Sequence, residues 1–491
     1  MKSSLNKSLA LLLCLVMCLS LFPAAAFAEQ ITTRIEPSCT EAGQILTEDP
    51  QTHTVRAETI PPTGHSFGEW TPADGGYEER ICSVCGASEH RVMMTAAEEQ
   101  FPRLDLRGSM EGINKKARVT LEADFTGAGE DFQCYAVMTM QGHSTLGLDK
   151  QNYTLRFYDD QDAQEKHKLR FGDWKKEHKF ILKADYLDVT QGRNLICAQL
   201  WRAVEETREN LPPQIAALPT LGTVDGFPVS VWLNDSFLGL YTLCLHKDDD
   251  LYGMHDGEQS AILICNRSVE DEAFFRAPVE LDAEGVHDWE IEFSGTEDWD
   301  WARESFNSLI DFVMRSSDEE FRERLRDYLD VDAAIDYLVF ICTLGLVNSG
   351  AKDLVMLSYG GAWIPTAFDM DEAFGMMPGG EGFYPPDSFL PQREDGVWTS
   401  GTGSLLWDRL LQNFDEEIRT RYQTLRQGVL SEENILSAVD AYIGGIPASL
   451  YLREAERYPG RPAASEMKEQ IQNYLIERLP ILDEKLGGTE S

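Results

Sequence analysis

Two hydrophobic periodicities occupy different stretches of this chain, and their segregation limits the fold more than any single motif does. Between residues 132 and 266, short apolar runs alternate with turn residues, the period-two pattern of half-buried strands. The spacing predicts strands at 132–139, 152–157, 179–184, 229–233 and 240–245. One amphipathic helix interrupts them at 193–204, where Leu195, Ala198, Leu200 and Trp201 recur at helical spacing. Residues 268–302 are acidic and are expected to form a surface excursion. Beyond them the helical period takes over. Ser317-Asp-Glu-Glu320 has the form of a capping box before Phe321 and Leu325. Asp332 is the expected cap of an apolar helix over 333–346. Two short strands follow (354–358 and 362–368), then a Gly/Pro-rich loop (375–391), then helices at 405–413, 416–428 and 433–442. Strands early and helices late predict an α+β, two-lobed body.

The first 28 residues have the form of an export signal. Lys2 and Lys7 precede an apolar run from Leu9 to Phe22, and Ala26-Phe27-Ala28 is a small-x-small cleavage site. The run is too short to be a good membrane span, and Met17 before Cys18 is too large for a lipid-anchoring box. The expectation is therefore a secreted or cell-surface chain with no span after signal removal. Its net charge is −40, and loss of Lys2 and Lys7 makes it −42. Such a surface repels phosphate backbones and disfavours nucleic acid, whereas a basic protein partner is attracted.

Residues 29–95 read as a separate small module containing Cys39, Pro61-Pro-Thr-Gly-His65, and Cys82-Ser-Val-Cys85-Gly. It resembles a module often repeated in bacterial surface proteins. Cys82-x-x-Cys85 with Cys39 and a histidine is a donor set for Zn²⁺, but a redox pair and a bare structural turn stay open. Cys134, Cys197, Cys244, Cys265 and Cys342 lie inside apolar runs and are expected to be buried small hydrophobes, not disulfides.

Three segments carry chemistry. In Trp363-Ile-Pro-Thr-Ala-Phe-Asp369-Met-Asp371-Glu-Ala-Phe-Gly375, an apolar strand runs into two carboxylates. If the strand continues through them they share one face, and two hard oxygen ligands there suit Mg²⁺ or Mn²⁺ with substrate phosphates. A solvated turn is the competing reading. A loop from Gly142 through Ser144 to Lys150 offers N–H groups, a hydroxyl and an ammonium to phosphate, or is a simple hairpin connection. Lys183, ending the run Lys179-Phe-Ile-Leu-Lys183, points into a cleft or is an exposed strand-end lysine, with Asp188 or Thr190 capping the helix that Arg193 begins.

These segments resemble the CotH kinase family in their order along the chain. The resemblance rests on the Gly142–Lys150 loop, Phe180-Ile-Leu-Lys183-Ala184, Arg193-Asn194, Val231-Trp-Leu-Asn234 with Gly239-Leu-Tyr241, Phe368-Asp369-Met-Asp371-Glu-Ala-Phe-Gly375 and Leu405-Leu-Trp-Asp-Arg-Leu-Leu411. It covers residues 100–486. It implies an atypical protein-kinase-like fold, with a β-rich N-lobe and a helical C-lobe, that moves the ATP γ-phosphoryl to Ser or Thr of exported proteins. Position by position, it implies that Asp369 and Asp371 bind metal and that Gly142, Ser144, Lys150, Lys183 and Arg193 belong to the nucleotide site.

The chain departs from that pattern at one telling place. Relatives carry Asp and then Asn before the metal segment, but here the order is Asn348-Ser-Gly-Ala-Lys352-Asp353. Asn348 cannot accept a proton, which leaves Asp353 as base or metal ligand. His246 and Ser404 also stand where relatives often have a carboxylate and Asn. A catalytically impaired surface-binding protein on the same scaffold is therefore the alternative function. A metal-dependent hydrolase ranks last, because the sequence has no His-rich metal cluster.

Overall fold

The computed structural model describes residues 31–50, 52–142, 144–281 and 287–487, with Ser144 placed by its backbone alone. The signal-peptide reading of residues 1–28 lies outside them, as does His143. The chain divides into two compact units, Met1–Met93 and Met94–Ser491.

The first unit holds two small antiparallel sheets. One is β1 (Ile31–Ile35), β2 (Gly43–Asp49) and β3 (Thr54–Ile60); the other is β4 (Thr71–Pro72), β5 (Tyr77–Ile81) and β6 (Ser88–Val92). Most of their side chains face solvent. Among the described residues of this unit, the buried apolar side chains are those of Cys39, Cys82 and Val92.

The second unit opens with a closed seven-stranded barrel. Its strands are β7 (Arg103–Arg107), β8 (Val119–Thr126), β9 (Phe132–Gln141), β10 (Asn152–Tyr158), β11 (Lys179–Lys183), β12 (Gly226–Leu233) and β13 (Ser236–Leu245), in the order β10-β11-β13-β12-β7-β8-β9. Every pairing is antiparallel except β12 with β7, which is parallel from Ser230↔Arg103 to Leu233↔Leu106. That contact closes the barrel, and β7 and β8 lie upstream of the strand region expected from the sequence. Inward-facing Leu104, Leu121, Phe125, Leu155, Phe157, Leu182, Val231 and Leu243 fill the interior. Alternation along the strands puts them there.

A second sheet follows, ordered β15 (Trp289–Ser294), β14 (Ala261–Cys265), β16 (Val355–Ser358) and β17 (Ile364–Thr366). β15 corrects the reading of 268–302 as a surface excursion. Its Trp289 is wholly buried, with its ring centroid 4.7 Å from that of Phe306. The acidic composition masked this apolar anchor.

Eight longer helices complete the unit: α1 (Arg193–Glu205), α2 (Asp300–Arg315), α3 (Val331–Leu344), α4 (Leu405–Asn413), α5 (Asp415–Arg426), α6 (Glu432–Gly445), α7 (Ala448–Arg457) and α8 (Ala464–Leu482). The mixture of strands and helices is α+β. The short helix Asp318–Arg324 is capped by Ser317, as its sequence predicts. α3 is capped by Asp330, whose Oδ1 accepts the Ala333 N–H at 2.9 Å; Asp332 sits inside the first turn instead. α3 is apolar nearly all round because it is buried nearly all round, and deleting one of its large side chains costs about 2–5 kcal/mol. It stops at Gly345, which has φ 65, and a Cβ there would lie 2.1 Å from the Tyr474 hydroxyl. Only glycine satisfies both conditions. All five cysteines expected in the core are buried and free. No single helix among the described residues is long and apolar enough to cross a membrane.

Candidate active site

The β16–β17 hairpin, in register at Val355↔Thr366 and Leu357↔Ile364, aims the chain toward Asp369. The strand itself stops at Thr366, and Asp369 has φ 49, a left-handed turn. The expectation that Asp369 and Asp371 share a strand face is thereby corrected. The turn is pinned by the Met370 N–H, which donates to Asn194 Oδ1 at 3.2 Å, at the start of α1.

Lys183, the last residue of β11, donates from Nζ to Asp369 Oδ1. Its side chain is 16% exposed and that of Asp369 35%, so the pair is reachable from solvent. Burial disfavours the charge on each. The opposite charge of its partner outweighs that, holding Asp369 below the usual carboxylate range and Lys183 above the usual lysine range. Asp371 goes the other way: burial first and the Asp369 charge second push it well up.

Asp353 enters β16 with φ 65 and its N–H bonded to Cys265 O at 2.7 Å. Burial, reinforced by Asp369, raises it to about 7, and Lys352, 3.4 Å away, limits the rise. Glu372 is raised by burial and accepts from the Asn348 amide. Four carboxylates, Asp353, Asp369, Asp371 and Glu372, thus crowd against Lys183 and Lys352. Asp353 and Asp371 are both raised, so the cluster holds more acidic groups than Lys183 and Lys352 compensate. An all-oxygen donor set fits Mg²⁺ or Mn²⁺ rather than a softer metal.

The other residues singled out from the sequence have different surroundings. Lys150 is buried, and its three N–H bonds go to Ala184 O at 2.7 Å, Glu454 Oε1 at 2.7 Å and Leu240 O. An ammonium with three donors and three protein acceptors has none left for phosphate in this arrangement. Gly142 has φ 105, and a Cβ there would lie 2.1 Å from Thr145 Oγ1; it begins the loop whose turn is Ser144–Gly147. Arg193 is fully buried. It donates to Ala373 O and to Gln470 Oε1 at 2.6 Å, clamping the acidic segment to α8. Asp188 Oδ2 accepts the Gly192 and Arg193 N–H groups at 3.0 and 2.8 Å, so Asp188 serves the start of α1. Asp185, raised to about 6 mainly by burial, bonds to Thr242 Oγ1 at 2.9 Å.

Sequence reasoning missed Glu372 and Glu454. Glu372 announces itself as a third carboxylate beside the D-x-D pair. Glu454 lies 304 residues from Lys150 on an unremarkable helix face, and no local signal marks it.

In the first unit, Cys39, His65, Cys82 and Cys85 come together, with their four donor atoms within 4.8 Å of one another.

A comparison with curated proteins finds no match. The profile of the family described as CotH kinase protein matches residues 138–482, most of the chain, including the barrel strand that carries Lys183 and the acidic turn. The chain therefore belongs to the CotH kinase family.

Proposed function

We propose that this chain is an exported CotH-like protein kinase that transfers the γ-phosphoryl of ATP to Ser or Thr of secreted or surface proteins. The single observation that carries the reading is the Lys183–Asp369 pair set among Asp353, Asp371 and Glu372. The barrel then acts as one lobe and the helical body as the other. Asp369 and Asp371 hold a divalent ion, which when bound neutralises charge on the ATP phosphates. Lys183 keeps Asp369 ionised and oriented. Arg193 and Asn194 fix the backbone of the acidic turn. Asp353, raised to about 7, takes the proton of the substrate hydroxyl as its oxygen bonds to the γ-phosphorus and the bond to ADP breaks. The acidic surface favours a basic, Lys- and Ser-rich substrate.

A second reading is a surface-binding protein without turnover. It is favoured by the Asn348 amide, bonded to Glu372, and by the full occupation of Lys150. Incubation with γ-labelled ATP, Mg²⁺ and a basic Ser-rich protein separates the two. Labelled phosphoserine or phosphothreonine, in the substrate or in the chain itself, supports the kinase. Metal-dependent ATP binding with no label in either supports the binder.

A further inference from the structure

The first unit poses a stability problem that the kinase reading does not touch. Two three-stranded sheets need a common apolar core, and among its described residues this unit has almost none. Of its three buried apolar side chains among the described residues, two are Cys39 and Cys82. Units of this size with so little core are commonly held by a metal or by disulfides.

The cluster joins both sheets. Cys39 lies in the turn between β1 and β2, and His65 follows β3. Cys82 and Cys85 flank the turn between β5 and β6. Backbone bonds lock these loops: Gly64 N–H to Cys39 O at 3.1 Å, Ser83 N–H to Ser66 O at 2.9 Å and Gly86 N–H to Cys82 O at 2.9 Å. Gly86 takes φ 76, which closes the Cys-x-x-Cys loop. The Ser66 N–H donates to Cys82 Sγ at 3.3 Å, the kind of bond that steadies a thiolate ligand.

The spacings match one chemistry better than the others. Cys39 Sγ and Cys82 Sγ are 3.9 Å apart. A tetrahedral zinc with Zn–S bonds of about 2.3 Å sets two sulfurs about 3.8 Å apart. Cys85 Sγ and His65 Nδ1 are 3.2 Å apart. A disulfide, with sulfurs at about 2.05 Å, would join two of the cysteines and leave the third and the imidazole converging for no purpose. A redox pair within Cys82-x-x-Cys85 would likewise not explain Cys39 and His65.

We infer that Cys39, His65, Cys82 and Cys85 bind one Zn²⁺ as a closed structural site that staples the two sheets of the N-terminal unit. Four protein ligands leave no open position for substrate, so the ion's work is folding, not catalysis. The inference is independent of phosphoryl transfer.

The test uses the full chain. Elemental analysis is expected to find zinc equimolar with protein. Exchange with Co²⁺ is expected to give thiolate-to-cobalt charge transfer and the intense visible bands of a tetrahedral centre. His65→Cys keeps the metal with an all-sulfur spectrum. His65→Ala and Cys85→Ser weaken zinc binding by more than the about tenfold that loss of even an outer-sphere partner costs. Chelation is expected to open residues 31–92 to protease, and zinc to restore their protection. Because the cobalt spectrum is read on the unmutated chain, a variant that fails to fold does not blunt the test. Substoichiometric zinc together with a Cys39–Cys82 disulfide by non-reducing mass spectrometry would overturn the proposal. So would zinc content unchanged in the His65→Ala, Cys85→Ser double variant.

Discussion

Lys183 at the end of a barrel strand donates to Asp369 Oδ1, 186 residues later in the chain, and this contact joins the barrel to the acidic turn. Replacing Lys183 by Met leaves Asp369 among carboxylates with less compensation. Loss of a partner that orients a metal-ligating carboxylate costs about 10–100-fold in metal affinity or activity. Lys183→Met is expected to lose that much phosphotransfer with little change in thermal stability, because the pair is partly solvated. Parallel kinase assays and thermal unfolding check it; loss of both together would make the lysine structural.

On the proposed mechanism, Asp353 is expected to set the pH dependence of phosphotransfer. Its raised value, about 7, means that it is protonated on the acid side and cannot accept the substrate proton there. kcat/KM is expected to rise with pH through a midpoint at or below about 7, since a bound cation lowers it. Asp353→Asn is expected to abolish this limb and lower the rate by about 10²–10⁴. A rate profile that keeps the limb in Asp353→Asn would exclude the base role.

Lys150 and Glu454 form a pair with 0% and 4% of their side chains exposed. Breaking one partner of such a pair costs about 3–5 kcal/mol, because the other is left charged and buried. Glu454 also accepts the Leu240 N–H at 2.7 Å, which adds to its cost. Glu454→Leu and Lys150→Met are each expected to lower stability by that order, and the double variant to recover part of it. Denaturant unfolding of the three variants checks the coupling.

Glu205 carries a pH effect on stability. Burial raises it from 4.5 to about 7; Arg208, 3.0 Å away, opposes the rise but is shared with Asp330 and Asp336. A carboxyl whose folded value exceeds its unfolded one holds its proton better when folded. Its contribution is complete below about pH 4.5 and disappears as pH rises to about 7, a change of about 3 kcal/mol at most. Glu205→Gln is expected to flatten the stability profile across that interval, as read by denaturant titrations at several pH values.

The barrel strands from Phe132 to Leu245 and the helices α1, α3, α4, α5 and α6 were legible from their apolar runs and periods, whereas α2, which starts in the acidic stretch, was not. β7 and β8 lie upstream of that run, and nothing local announces the parallel β7–β12 pairing that closes the barrel. Asp369 and Asp371 were legible as a carboxylate pair, but the left-handed φ of Asp369 was not, because turn conformation is fixed by Asn194 and Arg193 far upstream. Lys150 shows the limit most clearly. A lysine after a Gly/Ser loop has the same sequence signal whether it meets phosphate or a glutamate 304 residues away.

The most direct test of the central claim is calorimetric titration of the full chain with ATP, with and without Mg²⁺, for the unmutated protein and for Asp371→Ala. The account predicts binding that requires Mg²⁺ and is lost in Asp371→Ala while the fold, read by circular dichroism, persists. Mg²⁺-dependent binding of equal affinity in Asp371→Ala would contradict it.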